Sequence, residues 1–82
     1  MKDENKQNFI TKDFYVSAFL VTKGHKIISV DRKEPHRVFF SFKNFEGREN
    51  LVRSFLFGQA MVEPQSFITS IKSIKQLLHT DE

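Results

Sequence analysis

Three histidines are the first residues in this chain that could support metal or acid–base chemistry. His25 and His36 stand at the starts of two successive strand-like runs, and His79 lies near the C-terminal end. The two strand starts of an antiparallel hairpin lie at its opposite ends, roughly 20 Å apart for strands of this length. A zinc site needs three or four ligands in fixed geometry, and the chain has no cysteine. The sequence therefore predicts no metal site and no cofactor.

The carboxylates and hydroxyls also fall short of a catalytic arrangement. Acid–base catalysis needs titratable groups in a shielded cleft, whereas each acidic residue here fits a helix cap, a turn or a solvated face. A serine nucleophile needs a positioned base, and no Gly-x-Ser-x-Gly sequence is present. The three glycines do not form a phosphate-binding loop. We therefore predict a non-enzymatic protein with no evident small-molecule substrate. The carboxylates considered are Asp13, Asp31, Glu34, Glu46, Glu49 and Glu63.

Positive charge is concentrated between His25 and Asn44. This segment holds five basic and two acidic residues, and its net charge of +3 equals that of the whole chain. Phe39 alternates there with basic and polar residues, so we expect its ring to point away from the core. The candidate binding face consists of Lys26, Arg32, Lys33, Arg37, Phe39 and Lys43.

Two functions fit this face. The first is a non-catalytic binding module that contacts another protein or a second copy of itself, through the hairpin face or an uncovered sheet edge. The alternative is nucleic-acid binding, in which Phe39 stacks on a base while Arg37, Lys43 and Lys26 neutralise phosphates. Both hypotheses stay open at the level of sequence.

The hairpin that would carry this face is predicted from a change in the spacing of the apolar residues, from helical to strand-like. His25–Asp31 is rich in β-branched residues, which favours a strand. Asp31–Pro35 is charged and ends in proline, which is typical of a turn. Arg37–Lys43 alternates, with Val38, Phe40 and Phe42 on one side. These runs predict two antiparallel strands.

Three helices surround the hairpin in the sequence. The first is expected at 12–23, capped by Thr11 and ended by Gly24. The second is expected at 46–57 with Asn44 as its cap, and the third starts at Pro64 and runs to the end of the chain. Residues 60–62 could add a short third strand. The predicted class is α+β, a small antiparallel sheet packed against three helices in the order α-β-β-α-(β)-α.

The 82 residues are expected to form one domain. We predict a disordered N-terminal tail at 1–8, the domain at 9–79 and a frayed end at 80–82. A cysteine-free domain of this size fits a reducing compartment, and no apolar run is long enough to span a membrane. The expected location is therefore the cytoplasm.

The chain resembles a family of short bacterial proteins known only as a domain of unknown function. The resemblance is carried by DFYVSAFL at Asp13–Leu20, KGHK at Lys23–Lys26 and VFFSF at Val38–Phe42. It extends from about Thr11 to Leu78. It implies a self-standing unit but supplies no activity, partner or functional residue.

Overall fold

A three-stranded antiparallel sheet forms one side of the molecule in a computed structural model that describes residues 7–34 and 36–80. The observed class is α+β, as predicted, with three helices beside the sheet. The elements in chain order are β1 (Asn8–Thr11), α1 (Phe14–Thr22), β2 (Ile27–Glu34), β3 (Arg37–Lys43), α2 (Arg48–Leu56) and α3 (Pro64–Thr80).

The third strand of the sheet comes from the N-terminal segment. The strand order is β1-β3-β2, so β3 is central, with Phe9 opposite Phe42 on one side and Val30 opposite Phe40 on the other. Residues 59–63, where a third strand was considered, form no regular element. Asn8 was placed in a disordered tail and instead starts β1. Residues 1–6 and 81–82 of the predicted tails lie outside the described residues.

Strand β2 is longer than the sequence suggested. The charged run Asp31–Glu34 is typical of a turn, yet β2 continues to Glu34, which pairs with Arg37 at the start of β3. A strand at the edge of a sheet exposes one side to water, so charged side chains are tolerated there. The register shifts between Ile27 and Ser29 and again between Asp31 and Glu34.

Helix α1 lies at the centre of the molecule. Five consecutive residues, Val16 to Leu20, are buried, which occurs only when a helix is covered on several sides. It contacts α2, α3 and β1. Its cap is Asp13, whose carboxylate accepts backbone N–H bonds from Tyr15 (2.9 Å) and Val16 (3.0 Å). Thr11, the predicted cap, instead accepts a bond from the Asp13 N–H.

Both short helices end in the same way. After α1, Gly24 adopts a φ of 99° and its N–H donates to Val21 O, while the His25 N–H donates to Leu20 O. After α2, Gly58 and Gln59 repeat this pair of bonds to Phe55 O and Ser54 O. This is the Schellman pattern, which favours glycine at the left-handed position. The predicted stop signals are confirmed.

The start of α2 differs from the prediction. The helix begins at Arg48 after Gly47, which has a φ of 89° and supplies no side-chain cap. Asn44, the predicted cap, accepts a 3.0 Å bond from Nε of Arg48 instead. A positive φ at Gly47 cannot continue a helix, so residues 46–47 are excluded from it.

Aromatic residues build much of the core, as expected from ten phenylalanines in the chain. Phe19, Phe40 and Phe42 are fully or almost fully buried, and the Phe19 ring stacks on Phe55 at 4.7 Å between centroids. Phe57 is an exception, with 69% of its surface exposed just after α2. The helices thus cover the sheet face that carries Phe40 and Phe42.

Candidate functional site

The second face of the sheet is covered by none of the helices within residues 7–34 and 36–80, and it is the main candidate site. Its position follows from the pleat, since alternate residues of each strand point to opposite sides. Paired residues share a face, so Ile10 and Ser29 lie on the same side as Ser41. We call this surface the open face, and it is formed by Asn8, Ile10, Ile28, Ser29, Asp31, Glu34, Arg37, Phe39, Ser41 and Lys43.

Two isoleucines make the open face partly apolar. Ile10 is 56% exposed and Ile28 is 54% exposed. The shift of register after Ile27 leaves Ile28 without a partner position on β3, and a shallow depression brings it beside Asn8 and Lys43. A β-bulge of this kind re-aims a side chain, and here it turns Ile28 toward solvent.

Phe39 lies on the open face, as the sequence predicted, but its ring is half-buried. The residue sits on the central strand opposite Asp31 of β2, and strands on both sides limit its exposure. A ring used for base stacking needs a free aromatic surface. Phe39 therefore offers less stacking surface than a fully exposed aromatic would.

The charges on the open face are balanced. Asp31 and Glu34 contribute two negative charges from β2, while Arg37 and Lys43 contribute two positive charges from β3. Arg37 Nε lies 3.8 Å from a carboxylate oxygen of Glu34, and both side chains are well exposed. The excess charge counted along the hairpin sequence is thus not concentrated on this face.

The six residues of the predicted binding face are brought together only in part. Arg37, Phe39 and Lys43 share the open face, although Arg37 and Lys43 lie roughly 20 Å apart along β3. Lys26 precedes β2 and lines an apolar groove on the helix side. Lys33 is exposed near the hairpin turn, and Arg32 is half-buried. The predicted face is therefore divided among three places.

Strand edges are the other predicted contact site. β1 and β2 form the two edges of the sheet. The eight-residue β2 carries two irregularities and four consecutive charged residues, which are features that discourage strand addition. Strand addition is therefore disfavoured at the β2 edge.

The histidines occupy separate positions. The His25 ring stacks on Phe45 with 3.9 Å between centroids, while His36 and His79 are exposed. Among residues 7–34 and 36–80, no three metal-ligating side chains approach one another closely enough to hold an ion. Within the same ranges, none of the helices has the length and apolar character needed to cross a bilayer.

Sequence reasoning missed Ile10 and Ile28 as surface residues. Ile10 belongs to a segment assigned to no strand, and Ile28 was counted only among the β-branched residues that favour β2. The adjacent apolar residues Phe9 and Ile10 after a polar stretch were the available signal for β1. The bulge at Ile28 arises from the pairing of β2 with β3, so the residue pattern of β2 alone does not reveal it.

Comparison with known proteins gives a family for the chain. The model of the family described as "Domain of unknown function (DUF5659)" matches residues 6–80. No curated protein and no solved structure matches significantly. The match spans every helix and strand described above, and the chain belongs to this family of domains of unknown function.

Proposed function

We propose that this domain is a non-catalytic protein-interaction module that associates weakly with a second copy of itself through the open face. The observation that carries the proposal is the pair of exposed isoleucines, Ile10 and Ile28, on the sheet face that also carries Phe39 and that none of the described helices covers. Aromatic and aliphatic side chains surrounded by polar groups are typical of the centre of an interface.

The charge pattern supports a second copy as the partner. An interface around a two-fold axis presents the same surface from both sides, so the surface must suit itself. A face with two acidic and two basic residues meets this condition. A strongly charged face of one sign would repel its own copy.

The size of the open face indicates how strong the association should be. Three strands and the seven residues of β3 give a footprint of roughly 14 by 24 Å, or roughly 300 Å². A standard interface buries roughly 800 Å² on each partner. The expected dimer is therefore transient, with a dissociation constant in the range of about 10 µM to 1 mM.

Sedimentation equilibrium over this concentration range tests the proposal. The wild-type protein should shift from monomer toward dimer, and the double variant Ile28→Ser, Phe39→Ser should remain monomeric. Met61→Ser is the matched control, because Met61 is 82% exposed but lies outside the sheet. A wild-type protein that stays monomeric throughout would contradict self-association.

Nucleic-acid binding is the alternative, and the charge balance of the open face makes it the weaker one. The basic residues of the hairpin can nevertheless be tested together in one binding experiment. Mixed oligonucleotides should then be retained at about 50 mM salt and released steeply as salt rises. No retention at that salt concentration would exclude this alternative.

The proposal also includes the cellular setting. A domain without cysteine needs no disulfides to fold and suits a reducing environment, which supports a cytoplasmic location. A non-enzymatic role is supported by the separation of the histidines, since the His25 ring stacks on Phe45 while His36 and His79 are exposed elsewhere.

A further inference from the structure

An open apolar groove lies on the helix side of the molecule, away from the open face. Its volume is about 410 Å³, within the range of roughly 300–1,000 Å³ typical of small-ligand sites. The groove is lined by Val21, Gly24, His25, Lys26, Ile27, Ser73, Ile74 and Leu77.

The groove arises because α3 extends past the end of α1. The Thr22 hydroxyl, at the last residue of α1, forms a 2.8 Å hydrogen bond with the Ser70 hydroxyl near the middle of α3. Among the described helices, none therefore lies beside the second half of α3 at this point. The chain instead turns at Gly24 and runs through His25 and Lys26 into β2, which leaves a gap between that connection and α3.

The lining combines an apolar floor with a basic end. Val21, Ile27, Ile74 and Leu77 supply the apolar surface. Lys26 is exposed at one side, and its neighbour His25 is held in place by stacking on Phe45. A ligand with an apolar body and an anionic group matches this distribution.

The neighbouring charges do not offset Lys26. None of the described residues that line the groove is acidic. Lys23 is directed elsewhere, since its Nζ donates to Met61 O at 2.9 Å. On α3 the lining residue Ser73 is uncharged, and its preceding neighbour Lys72 is basic. Lys26 thus gives the described lining of the groove a positive charge.

We infer that this groove binds a small amphiphile that carries a carboxylate, with the apolar chain between Ile27 and Leu77 and the carboxylate beside Lys26. Binding needs no second copy of the protein, so the inference is independent of the open face. Neither the sequence nor the family assigns this site.

NMR titration with octanoate tests the inference directly. Saturable shifts are expected at the amides of Gly24, Ile27, Ser73 and Leu77. Octyltrimethylammonium, with the same chain length and the opposite charge, should bind about fivefold more weakly, since one exposed ion pair contributes a factor of this size. The substitution Lys26→Glu should reverse the preference.

Two tryptophan variants separate the groove from general surface binding. Ser73 is exposed, so Ser73→Trp should fill the groove without disturbing the core and should weaken octanoate binding at least about tenfold, since blocking the site removes its apolar contacts. Gln76→Trp, on an exposed position of α3 outside the lining, should leave binding unchanged.

Three results would overturn the inference. The first is a linear, non-saturable response to octanoate. The second is equal binding of both probes by the wild-type protein and by Lys26→Glu. The third is undiminished binding by Ser73→Trp, or shifts concentrated at Leu56, Phe57 and Met61 instead of the groove.

Discussion

At the scale of single residues, Gly24 shows how local backbone geometry fixes the path of the chain. Its φ of 99° closes α1 and directs His25 and Lys26 toward β2. A Cβ atom added there would meet no atom within 4 Å. Any cost of substitution therefore comes from the left-handed backbone conformation alone.

Replacing Gly24 tests this assignment. Gly24→Ala should lower the free energy of unfolding by about 1–2 kcal/mol, because a Cβ disfavours the left-handed region. Gly24→Asn is the control and should cost less, since asparagine tolerates that conformation better. Urea denaturation measures both variants. Equal losses for alanine and asparagine would show that backbone conformation is not the cause.

Glu63 provides a second prediction for a single side chain. Its carboxylate accepts bonds from the Ser66 N–H (2.8 Å), the Gln65 N–H (3.2 Å) and the Ser66 hydroxyl (3.0 Å) at the start of α3. The Ser66 N–H, followed by the Gln65 N–H and the Ser66 hydroxyl, holds the pKa of Glu63 below its ordinary value of 4.5. The charged form is therefore favoured in the folded state.

The sign of the pH effect follows from this direction. A carboxyl with a lowered folded-state pKa stabilises the protein above its unfolded pKa, and the contribution is lost as pH falls through the folded pKa. Glu63→Ala should be less stable than the wild type at neutral pH, and the difference should shrink below pH 4.5. An NMR titration midpoint for Glu63 at or above 4.5 would contradict the helix-cap assignment.

At the scale of elements, β1 is the strand on which the open face depends. Phe9 points to the helix side, where the Arg48 guanidinium carbon lies 4.1 Å from the centroid of its ring. Ile10 points to the open face. Of these two neighbouring positions, Phe9 thus contributes to the stability of the fold and Ile10 contributes to the exposed surface.

Substitutions at these neighbouring positions should have different effects. Phe9→Ser should lower the free energy of unfolding by about 2 kcal/mol, because a half-buried ring and its cation–π contact are lost. Ile10→Ser should change it by less than about 0.5 kcal/mol, as is usual for surface positions, but should weaken self-association. Equal destabilisation of the two variants in urea would contradict the assigned faces of β1.

The sequence allowed prediction of the elements that have strong local signals. The Arg37–Lys43 alternation, Gly24 and Gly58 as stop signals and Pro64 at the start of α3 are all observed. β1 was missed because its four residues gain stability only by pairing with β3, which lies far away in the sequence. The end of β2 was missed because its charges resemble a turn and are tolerated only at a sheet edge.

The candidate site was predictable to a smaller extent. Strand alternation correctly placed Phe39 and Arg37 on one face, away from Phe40 and Phe42. Counting charges along the hairpin did not reveal that Asp31 and Glu34 lie beside Arg37 and Phe39 in space. Cross-strand pairing brings these acidic residues onto the face and removes its net charge.

At the scale of the whole molecule, the small core leaves two partly apolar surfaces exposed, the open face and the groove. α1 lies between the sheet and the other helices, and its buried residues pack inside the core. The open face lies on one side of the sheet, and the apolar groove lies on the other. The two surfaces can therefore be tested one at a time.

The most direct test of the proposed function is an NMR dilution series of the wild-type protein from about 1 mM to about 20 µM, a range that brackets weak association. Concentration-dependent amide shifts are expected at Ile10, Ile28, Phe39 and Ser41 on the open face, and they should be absent at Ser73 and Leu77 in the groove. Spectra that do not change with concentration, or shifts centred on Phe57 and Met61, would contradict self-association through the open face.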